Sequence, residues 1–286
     1  MRIVFFSDEK YLHVVRNFIA SCIPVCQEYD FTFYSVNFYR KDLFKEFGFN
    51  IDVKHWTCNI NLPNPNFYKP SILLKTLDDY PGENDFCFID SDIVLGKRFD
   101  VSKMIGDKKF NLPLSPFGPF ELPYTYRTYS DGTQENFTPD LLMKYFNVPE
   151  KTMRYVQNCL ILYKRSHHDF LLEWESMCLN KFLLREHWRY YSFQDETAFN
   201  VMLWKYRASE NLEHIFVNTH KFSTFRMVEE TSLNQTSIEN NPYEYCHDSS
   251  RVMFYHGTKD KEQNILIQKY INENYTSNTR ASSHTS

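Results

Sequence analysis

Strand-like and helix-like segments alternate along the first third of the chain, and this alternation most constrains the fold. Apolar runs of strand length lie at 2–6, 31–36 and 85–89. An amphipathic helical pattern follows the first run, and a second one fills 69–80, where Pro70 suits the first turn of a helix. Strands that alternate with helices usually form a mostly parallel sheet with helices on its faces. The sequence therefore predicts an α/β fold whose ligands bind beyond the carboxyl ends of the strands.

The second half of the chain adds further elements of the same kinds. Apolar runs predict strands, and amphipathic patterns predict two helices, the first with Ser166 as its N-cap and the second with Ser192 and Asp195 spaced as a capping box. The stretch 111–149 is rich in Pro and aromatic residues, which favours an ordered insertion over a site. The predicted strands lie at 158–163, 215–218 and 252–255, and the predicted helices at 166–180 and 192–206.

Two carboxylates, Asp90 and Asp92, follow the third apolar run directly. Residues i and i+2 of an extended chain point to the same face, so these two side chains can converge while Ser91 points away. Two carboxylates repel each other unless a cation lies near them. An Asp-x-Asp triplet also arises by chance in a chain of this composition, so its place at the end of a buried strand is what favours a metal site. Mg²⁺ takes carboxylates and ligand phosphates, and Mn²⁺ also accepts an imidazole.

Composition excludes several classes of function. A formal net charge of -4 gives no general nucleic-acid-binding signal, and only 7 Gly residues argue against a P-loop or a dinucleotide fingerprint. The 7 Cys residues are scattered, which is typical of reduced thiols in a reducing compartment. The N-terminus turns polar at once, and no apolar run reaches the roughly 20 residues of a membrane span. We therefore expect a cytoplasmic protein without a transmembrane segment.

Several segments, taken in order, resemble the GT-A-fold, nucleotide-sugar-dependent glycosyltransferases. FCFIDSDIVL resembles the Asp-x-Asp strand of that family, and KPSILLKTLDDYPGEND resembles the Lys-bearing helix before it. VQNCLILYKRS resembles the Asn-bearing strand of the donor-sugar pocket, and FQDETAFNVML resembles the acidic helix start near the transferred sugar. VMFYHGTKDK resembles the C-terminal His segment of glycogenin-like enzymes, although Gly257 follows His256 directly and the usual Pro-Trp is missing.

The resemblance implies a GT-A-like, Rossmann-type sheet flanked by helices in a single domain. Residues 1–110 would form the nucleotide-sugar-binding half and 111–270 the acceptor-side half, while composition predicts a disordered tail over 271–286. The implied activity is that of a hexosyltransferase that uses Mn²⁺ or Mg²⁺ and a nucleotide-diphosphate sugar, with a UDP-sugar and a retaining outcome favoured. The acceptor hydroxyl could belong to a glycan, a lipid-linked sugar, a protein or a modified nucleic-acid base.

The resemblance also assigns candidate roles to single residues. Asp195 or Glu196 would act as base, nucleophile or hydroxyl anchor, and Asn158 would bind sugar hydroxyls. Each role has a structural alternative, because an acid in a first helical turn stabilises the helix and a Lys is usually solvated at the surface. The implied metal ligands are Asp90, Asp92 and His256, and the implied nucleotide-sugar contacts are Ser7, Asp8, Tyr11, Lys69, Asp90, Ser91, Lys259 and Lys261.

Two other classes of protein fit parts of the same pattern. FIDSDIV also fits a haloacid-dehalogenase-like phosphatase with Asp90 as nucleophile, but that family normally carries the motif on its first strand, and here further elements precede it. A nucleotide-sugar or glycan-binding module without turnover would need the same fold and many of the same residues. Metal-dependent transfer, tested after substitution of Asp92, separates these alternatives.

Overall fold

The structure is a computed structural model of the 286-residue chain. It describes residues 1–58, 65–96, 99–101, 111–115, 120–121, 126–128, 134–136, 143–144, 146–149, 154–180, 194–206, 218–222, 225–229 and 252–256. Within these residues, no helix has the length and apolar character needed to cross a bilayer. The predicted tail at 271–286 and most of the stretch 111–149 lie outside the described residues.

The described elements confirm the predicted α/β class, with a mostly parallel five-stranded sheet and flanking helices. The strands of this sheet are β1 (Arg2–Ser7), β2 (Asp30–Val36), β3 (Asp52–Trp56), β4 (Asp85–Ile89) and β10 (Leu160–Lys164). The described helices are α1 (Leu12–Cys22), α2 (Lys69–Asp79), α3 (His168–Cys178) and α4 (Gln194–Lys205). The described strands are β1 (Arg2–Ser7), β2 (Asp30–Val36), β3 (Asp52–Trp56), β4 (Asp85–Ile89), β5 (Ile93–Leu95), β6 (Phe120–Glu121), β7 (Tyr126–Thr128), β8 (Gln134–Asn136), β9 (Arg154–Tyr155), β10 (Leu160–Lys164), β11 (Asn218–Phe222), β12 (Phe225–Glu229) and β13 (Val252–His256).

The chain forms two compact units, each assembled from separate stretches of sequence. The first comprises Met1–Asn59, Ile89–Lys108 and Ile215–Ser286. In it, β1 pairs in parallel with β2, and β2 pairs in parallel with β3. Aromatic residues of the strands pack edge-on against α1 and the following loops, as in the pair Phe5 and Phe18, with ring centroids 4.8 Å apart. Each fully buried Phe contributes about 1.5–3 kcal/mol of hydrophobic stabilisation.

A second sheet in the first unit is antiparallel, with the strand order β11-β12-β13-β5. The strand β5 also packs against α1, where the backbone N–H of Leu95 donates a hydrogen bond of 2.9 Å to Ser21 Oγ. The predicted strand over 252–255 is confirmed, and its antiparallel partner β5 was not predicted. The three residues of β5 are fully buried, so their apolar character alone did not distinguish a new strand from a continuation of β4.

The second unit comprises Ile60–Phe88 and Lys109–His214. Its core forms where α3 packs against both α2 and α4, with the Trp174 and Phe199 rings 4.9 Å apart. The Arg165 guanidinium donates hydrogen bonds to the carbonyls of Leu77 (2.8 Å) and Tyr80 (2.7 Å), so it caps the C-terminal end of α2. A cation is favourable there because the last carbonyls of a helix carry partial negative charge and lack partners within the helix.

The structure differs from the sequence analysis at Ser166 and at β3. Ser166 is not an N-cap, because it lies inside a 3-10 turn, and the neighbouring His167 Nδ1 accepts a hydrogen bond from the backbone N–H of Lys164 instead. Of the strand predicted at 215–218, only Asn218 lies among the described residues, and it is the first residue of β11. The strand β3 was not predicted, because a half-buried edge strand with polar residues has a weak periodic signal.

Candidate functional site

An acidic turn, residues Asp90–Asp92, joins the end of β4 to the start of β5. The backbone N–H of Ile93 donates a hydrogen bond of 3.1 Å to the carbonyl of Asp90, which closes the turn. Ile89 and Ile93 are fully buried, whereas both carboxylates of the turn are half-buried. The sequence prediction treated this triplet as extended chain, and the turn corrects that expectation. Apolar strands on both sides hold the two acidic residues in the connecting turn.

The C-terminal strand of the antiparallel sheet runs beside this turn. In the pairing of β13 with β5, His256 lies opposite Ile93, the residue after Asp92. Two carboxylates and an imidazole suit Mn²⁺, and the carboxylates alone suit Mg²⁺ with ligand phosphates. The side chain of His256 is outside the described part of the chain, and the described side chains contain no group of three metal-binding residues. The donor set of Asp90, Asp92 and His256 therefore fits a divalent cation by residue type and backbone register.

The loop after β1 holds three of the predicted nucleotide contacts. Ser7 Oγ donates a hydrogen bond of 2.8 Å to the carbonyl of Asp8, and Asp8 Oδ1 accepts one of 3.3 Å from the backbone N–H of Tyr11. Asp8 thus caps the short 3-10 turn over Glu9–Tyr11. The Tyr11 ring is 36% exposed and carries the Lys10 ammonium 5.2 Å from its centroid. The binding of nucleotide by this loop stays a prediction.

The structure brings three predicted site residues of the second unit together in one buried cluster, Lys69, Asn158 and Asp195. The Lys69 ammonium donates hydrogen bonds of 3.1 Å to both the backbone carbonyl and the side-chain Oδ1 of Asn158. It also forms an ion pair of 3.2 Å with Asp195 Oδ2, and Asn158 Nδ2 donates a hydrogen bond of 2.9 Å to the same oxygen. All three residues are buried, Lys69 completely. We call this group the Lys69 cluster.

The position of Lys69 differs from the prediction. The sequence analysis gave Lys69 as a nucleotide-sugar contact or a solvated surface residue, but Lys69, the first residue of α2, has a side chain that is only 1% exposed. A buried ammonium is stable only when oxygen atoms replace its water shell, and Asn158 and Asp195 supply three such oxygens. The ring of Phe88 lies 5.2 Å from the same nitrogen and adds a cation–π contact. A role for Lys69 as a phosphate ligand stays a prediction.

Two residues that the sequence reasoning missed hold the cluster in place. Asn200, on α4, accepts a hydrogen bond from the backbone N–H of Val156 and donates one to its carbonyl, both of 2.8 Å. This paired contact fixes the segment that carries Asn158 against the helix that carries Asp195. The indole of Trp174 donates a hydrogen bond of 3.1 Å to the Asp195 carbonyl. A buried Asn within the apolar run FNVML was the available sequence signal, because buried polar side chains need partners.

The two oxygens of Asp195 have different surroundings. Oδ2 takes both the ion pair with Lys69 and the hydrogen bond from Asn158, whereas Oδ1 has no such partner among the described residues. The side chain keeps 7% of its surface exposed, and Oδ1 is not among the fully buried unpaired atoms of the described residues. The carboxylate is therefore anchored through Oδ2.

The remaining predicted residues have less defined surroundings. Glu196 follows Asp195 in the first turn of α4, is half-buried, and its backbone carbonyl accepts a hydrogen bond of 2.8 Å from Asn200. The predicted capping partner Ser192 and the two C-terminal lysines, Lys259 and Lys261, lie outside the described residues.

Burial raises the pKa of the Cys178 thiol well above its usual value, and the nearby Asp195 carboxylate raises it further while Lys69 opposes this effect. This thiol therefore stays protonated.

Comparison with known proteins finds similar solved structures that are described as glycosyltransferases. No family model and no curated protein sequence matches the chain. A structure described as a glycosyltransferase involved in the glycosylation of the major capsid of PBCV-1 is similar, with 10% identity and a TM-score of 0.43. The similarity covers 94% of this chain and 97% of that chain.

Two further structures carry similar descriptions. The glycosyltransferase GlyE of Streptococcus pneumoniae TIGR4 has 12% identity and a TM-score of 0.37, with 71% of this chain and 43% of that chain covered. The bifunctional glycosyltransferase WbbM has 14% identity and a TM-score of 0.44, with 71% of this chain and 37% of that chain covered. The present chain thus spans less than half of the length of these two proteins. The TM-scores of the three structures are below 0.5, a level at which a shared activity does not follow from the likeness.

Proposed function

We propose that this protein is a divalent-metal-dependent glycosyltransferase that moves a hexose from a nucleotide-diphosphate sugar, with a UDP-sugar favoured, to an acceptor hydroxyl. The observation that carries the proposal is the acidic turn. Asp90 and Asp92 lie at the end of a buried strand, and the strand that ends in His256 is paired beside them. Carboxylates in this position suit the cation that accompanies a nucleoside diphosphate.

In this proposal Asp92 and His256 bind Mn²⁺ or Mg²⁺, and Asp90 contacts the metal or the ribose. When bound, the cation would supply electrostatic stabilisation of the departing diphosphate. Lys259 and Lys261 are proposed to neutralise the same group, because negative charge develops there as the glycosidic bond breaks. Ser7, Asp8, Tyr11 and Ser91 are proposed to bind the nucleotide.

The Lys69 cluster supports a role at the sugar. Its anchored carboxylate, Asp195, would stabilise the positive charge that develops on the sugar carbon or hold a hydroxyl through Oδ1. Asn158 would orient the same sugar, and Lys69 would keep the Asp195 carboxylate in position through Oδ2. A carboxylate near the reacting carbon is compatible with a retaining outcome, which we favour.

The decisive experiment is a donor-hydrolysis screen across nucleotide sugars, with Mn²⁺, with Mg²⁺ and with a chelator. We expect one donor to be hydrolysed only with metal, and Asp92→Asn to reduce its turnover at least 100-fold, in line with the loss of a metal ligand. Asp78→Asn is the matched control, because Asp78 is an exposed acid on α2. Its turnover should equal that of the unmodified protein.

The same preparation separates the alternative classes. Hydrolysis of a phosphate monoester that requires Asp90, with no release of sugar from any donor, would show a phosphatase. Metal-dependent binding of a nucleotide sugar without hydrolysis or transfer would show a binding module. Either result would overturn the proposed activity.

A further inference from the structure

A cavity of about 310 Å³ lies in the first unit, away from the acidic turn in sequence, between the loop that follows β2 and one face of β3. Its floor is formed by Ile51, Val53 and His55, which alternate along the chain and therefore project to the same side of the strand. The wall is the loop over 39–45 together with Phe49 and Asn50. The volume is at the lower end of the range for small-molecule sites, which favours a ligand of monosaccharide size.

The wall of the cavity is anchored to the rest of the unit at both ends. Phe44 is 1% exposed, and its ring packs edge-on against Phe33 at a centroid distance of 5.0 Å. The Arg40 guanidinium donates a hydrogen bond of 2.9 Å to Glu9, in the turn that Asp8 caps. The core contact of Phe44 fixes the end of the loop over 39–45, and the ion pair of Arg40 ties its start to the loop after β1. These contacts hold the wall of the cavity in place.

An exposed aromatic ring forms one side of the opening. Tyr39 is 70% exposed, and its ring is tilted by 55° against that of His55, with centroids 4.2 Å apart. His55 Nδ1 is in turn hydrogen-bonded to Ser35 Oγ, which fixes the imidazole beside the Tyr ring. An aromatic ring held at this exposure offers a flat apolar surface, and the apolar face of a sugar ring can pack on it.

The charge of the lining is positive. Arg40, Lys41 and Lys45 face a single acid, Asp42, among the lining residues. Lys45 is paired with Asp42 at 2.6 Å and Arg40 with Glu9, whereas Lys41 makes no ion pair with a described residue. A cation at the rim of a cavity is suited to hydrogen-bond a phosphate group.

We propose that this cavity binds a phosphorylated saccharide, the ring packed on Tyr39 and the phosphate bound by Lys41. The choice of a saccharide rests on the proposed function, in which this ligand would be part of the acceptor. The ion pair between Arg40 and Glu9 supports an acceptor role, because it joins the cavity to the loop proposed to bind the donor nucleotide.

The test is a titration of the isotope-labelled full chain with glucose 6-phosphate, followed by NMR without donor or metal. We expect saturable chemical-shift changes with the unmodified chain. The affinity should fall about five- to tenfold in Tyr39→Ala and in Lys41→Gln, because each variant loses one ring contact or one charged contact. Tyr39→Phe keeps the ring and should bind as the unmodified chain does. Lys75→Gln removes the same charge from α2, outside the cavity, and should also bind normally.

Three results would overturn the inference. Inorganic phosphate binding as tightly as glucose 6-phosphate, unaffected by Tyr39→Ala, would leave only an adventitious ion at Lys41. Adenosine monophosphate binding more tightly than the sugar phosphate through the same residues would identify a nucleotide site. The absence of saturable binding would exclude a site. The titration measures binding and not turnover, so the two proposals can fail separately. Binding of glucose 6-phosphate by a protein that fails the donor-hydrolysis screen would refute the proposed function and leave the proposed ligand of the cavity standing. Donor hydrolysis by a protein that does not bind glucose 6-phosphate would refute only the proposed ligand of the cavity.

Discussion

Replacement of Lys69 by Met tests whether the Lys69 cluster is held by a buried ion pair. The change removes three donor contacts, two to Asn158 and one to Asp195. It leaves Asp195, which is 5% exposed, with the amide of Asn158 as its remaining side-chain partner among the described residues. Removal of one partner from a buried pair costs about 3–5 kcal/mol, because the other charge stays desolvated. Since proteins unfold with a free energy of about 5–15 kcal/mol, that is about a fifth or more of the total stability.

The double variant Lys69→Met with Asp195→Leu shows whether the cost comes from the unpaired charge. Since both charges are removed and apolar side chains of similar volume fill the space, we expect it to recover most of the loss. Thermal unfolding followed by tryptophan fluorescence measures both variants. A loss of 3–5 kcal/mol corresponds to a fall of the midpoint by about 6–20 °C, since each kcal/mol is worth roughly 2–4 °C at this chain length.

Activity of the double variant separates structural from functional use of the cluster. We expect a folded protein that does not hydrolyse the donor, because Asp195 is proposed to act at the sugar. A midpoint for Lys69→Met within about 1 °C of the unmodified protein would refute the buried-pair reasoning, since ordinary surface changes cost no more than about 0.5 kcal/mol. Full activity in the double variant would refute the role of Asp195 and leave the stability argument standing.

Two further predictions address other parts of the structure. Asn200→Leu should lower the free energy of unfolding by about 2–4 kcal/mol, because it leaves the buried backbone groups of Val156 without partners. Asn200→Asp keeps only acceptors, so it should recover little of the lost stability. Thermal unfolding measures both variants. Partial burial, then the hydrogen bond and charge of Glu173, raise the pKa of Tyr206 from an ordinary value of about 10 to about 12. The folded state therefore holds this proton more tightly, and its contribution to stability is complete below pH 10 and is lost as pH rises toward 12. Tyr206→Phe should flatten that part of the stability profile, and an unchanged slope would contradict the assignment.

The sequence predicted the elements that rest on periodicity. The strands β1, β2 and β4 and the helix α2 were expected within a residue or two of their observed bounds, because their apolar runs and the Pro near the helix start are local signals. The edge strand β3 and the short strand β5 were missed, because their stability comes from pairing with neighbours rather than from their own composition.

For the candidate site, the sequence identified residue types and their order along the chain. It placed two acids after a buried strand and singled out Lys69, Asn158 and Asp195 as separate candidates. It did not reveal that these three residues meet, because the contacts join positions that are 37 and 89 residues apart. Nor did it reveal Asn200, whose role depends on a backbone segment 44 residues away.

The sequence by itself thus determined the α/β class, the buried strands and the pair of acids at the end of one of them, since local patterning and chain connectivity fix these features. Only the tertiary structure decided that Lys69 is a buried partner of Asp195, and that Tyr39, Lys41 and one face of β3 line a common cavity. The physical reason is that burial and pairing are properties of a residue's neighbours in space. An ammonium group is solvated in one environment and forms an ion pair in another, and its own sequence position does not distinguish the two.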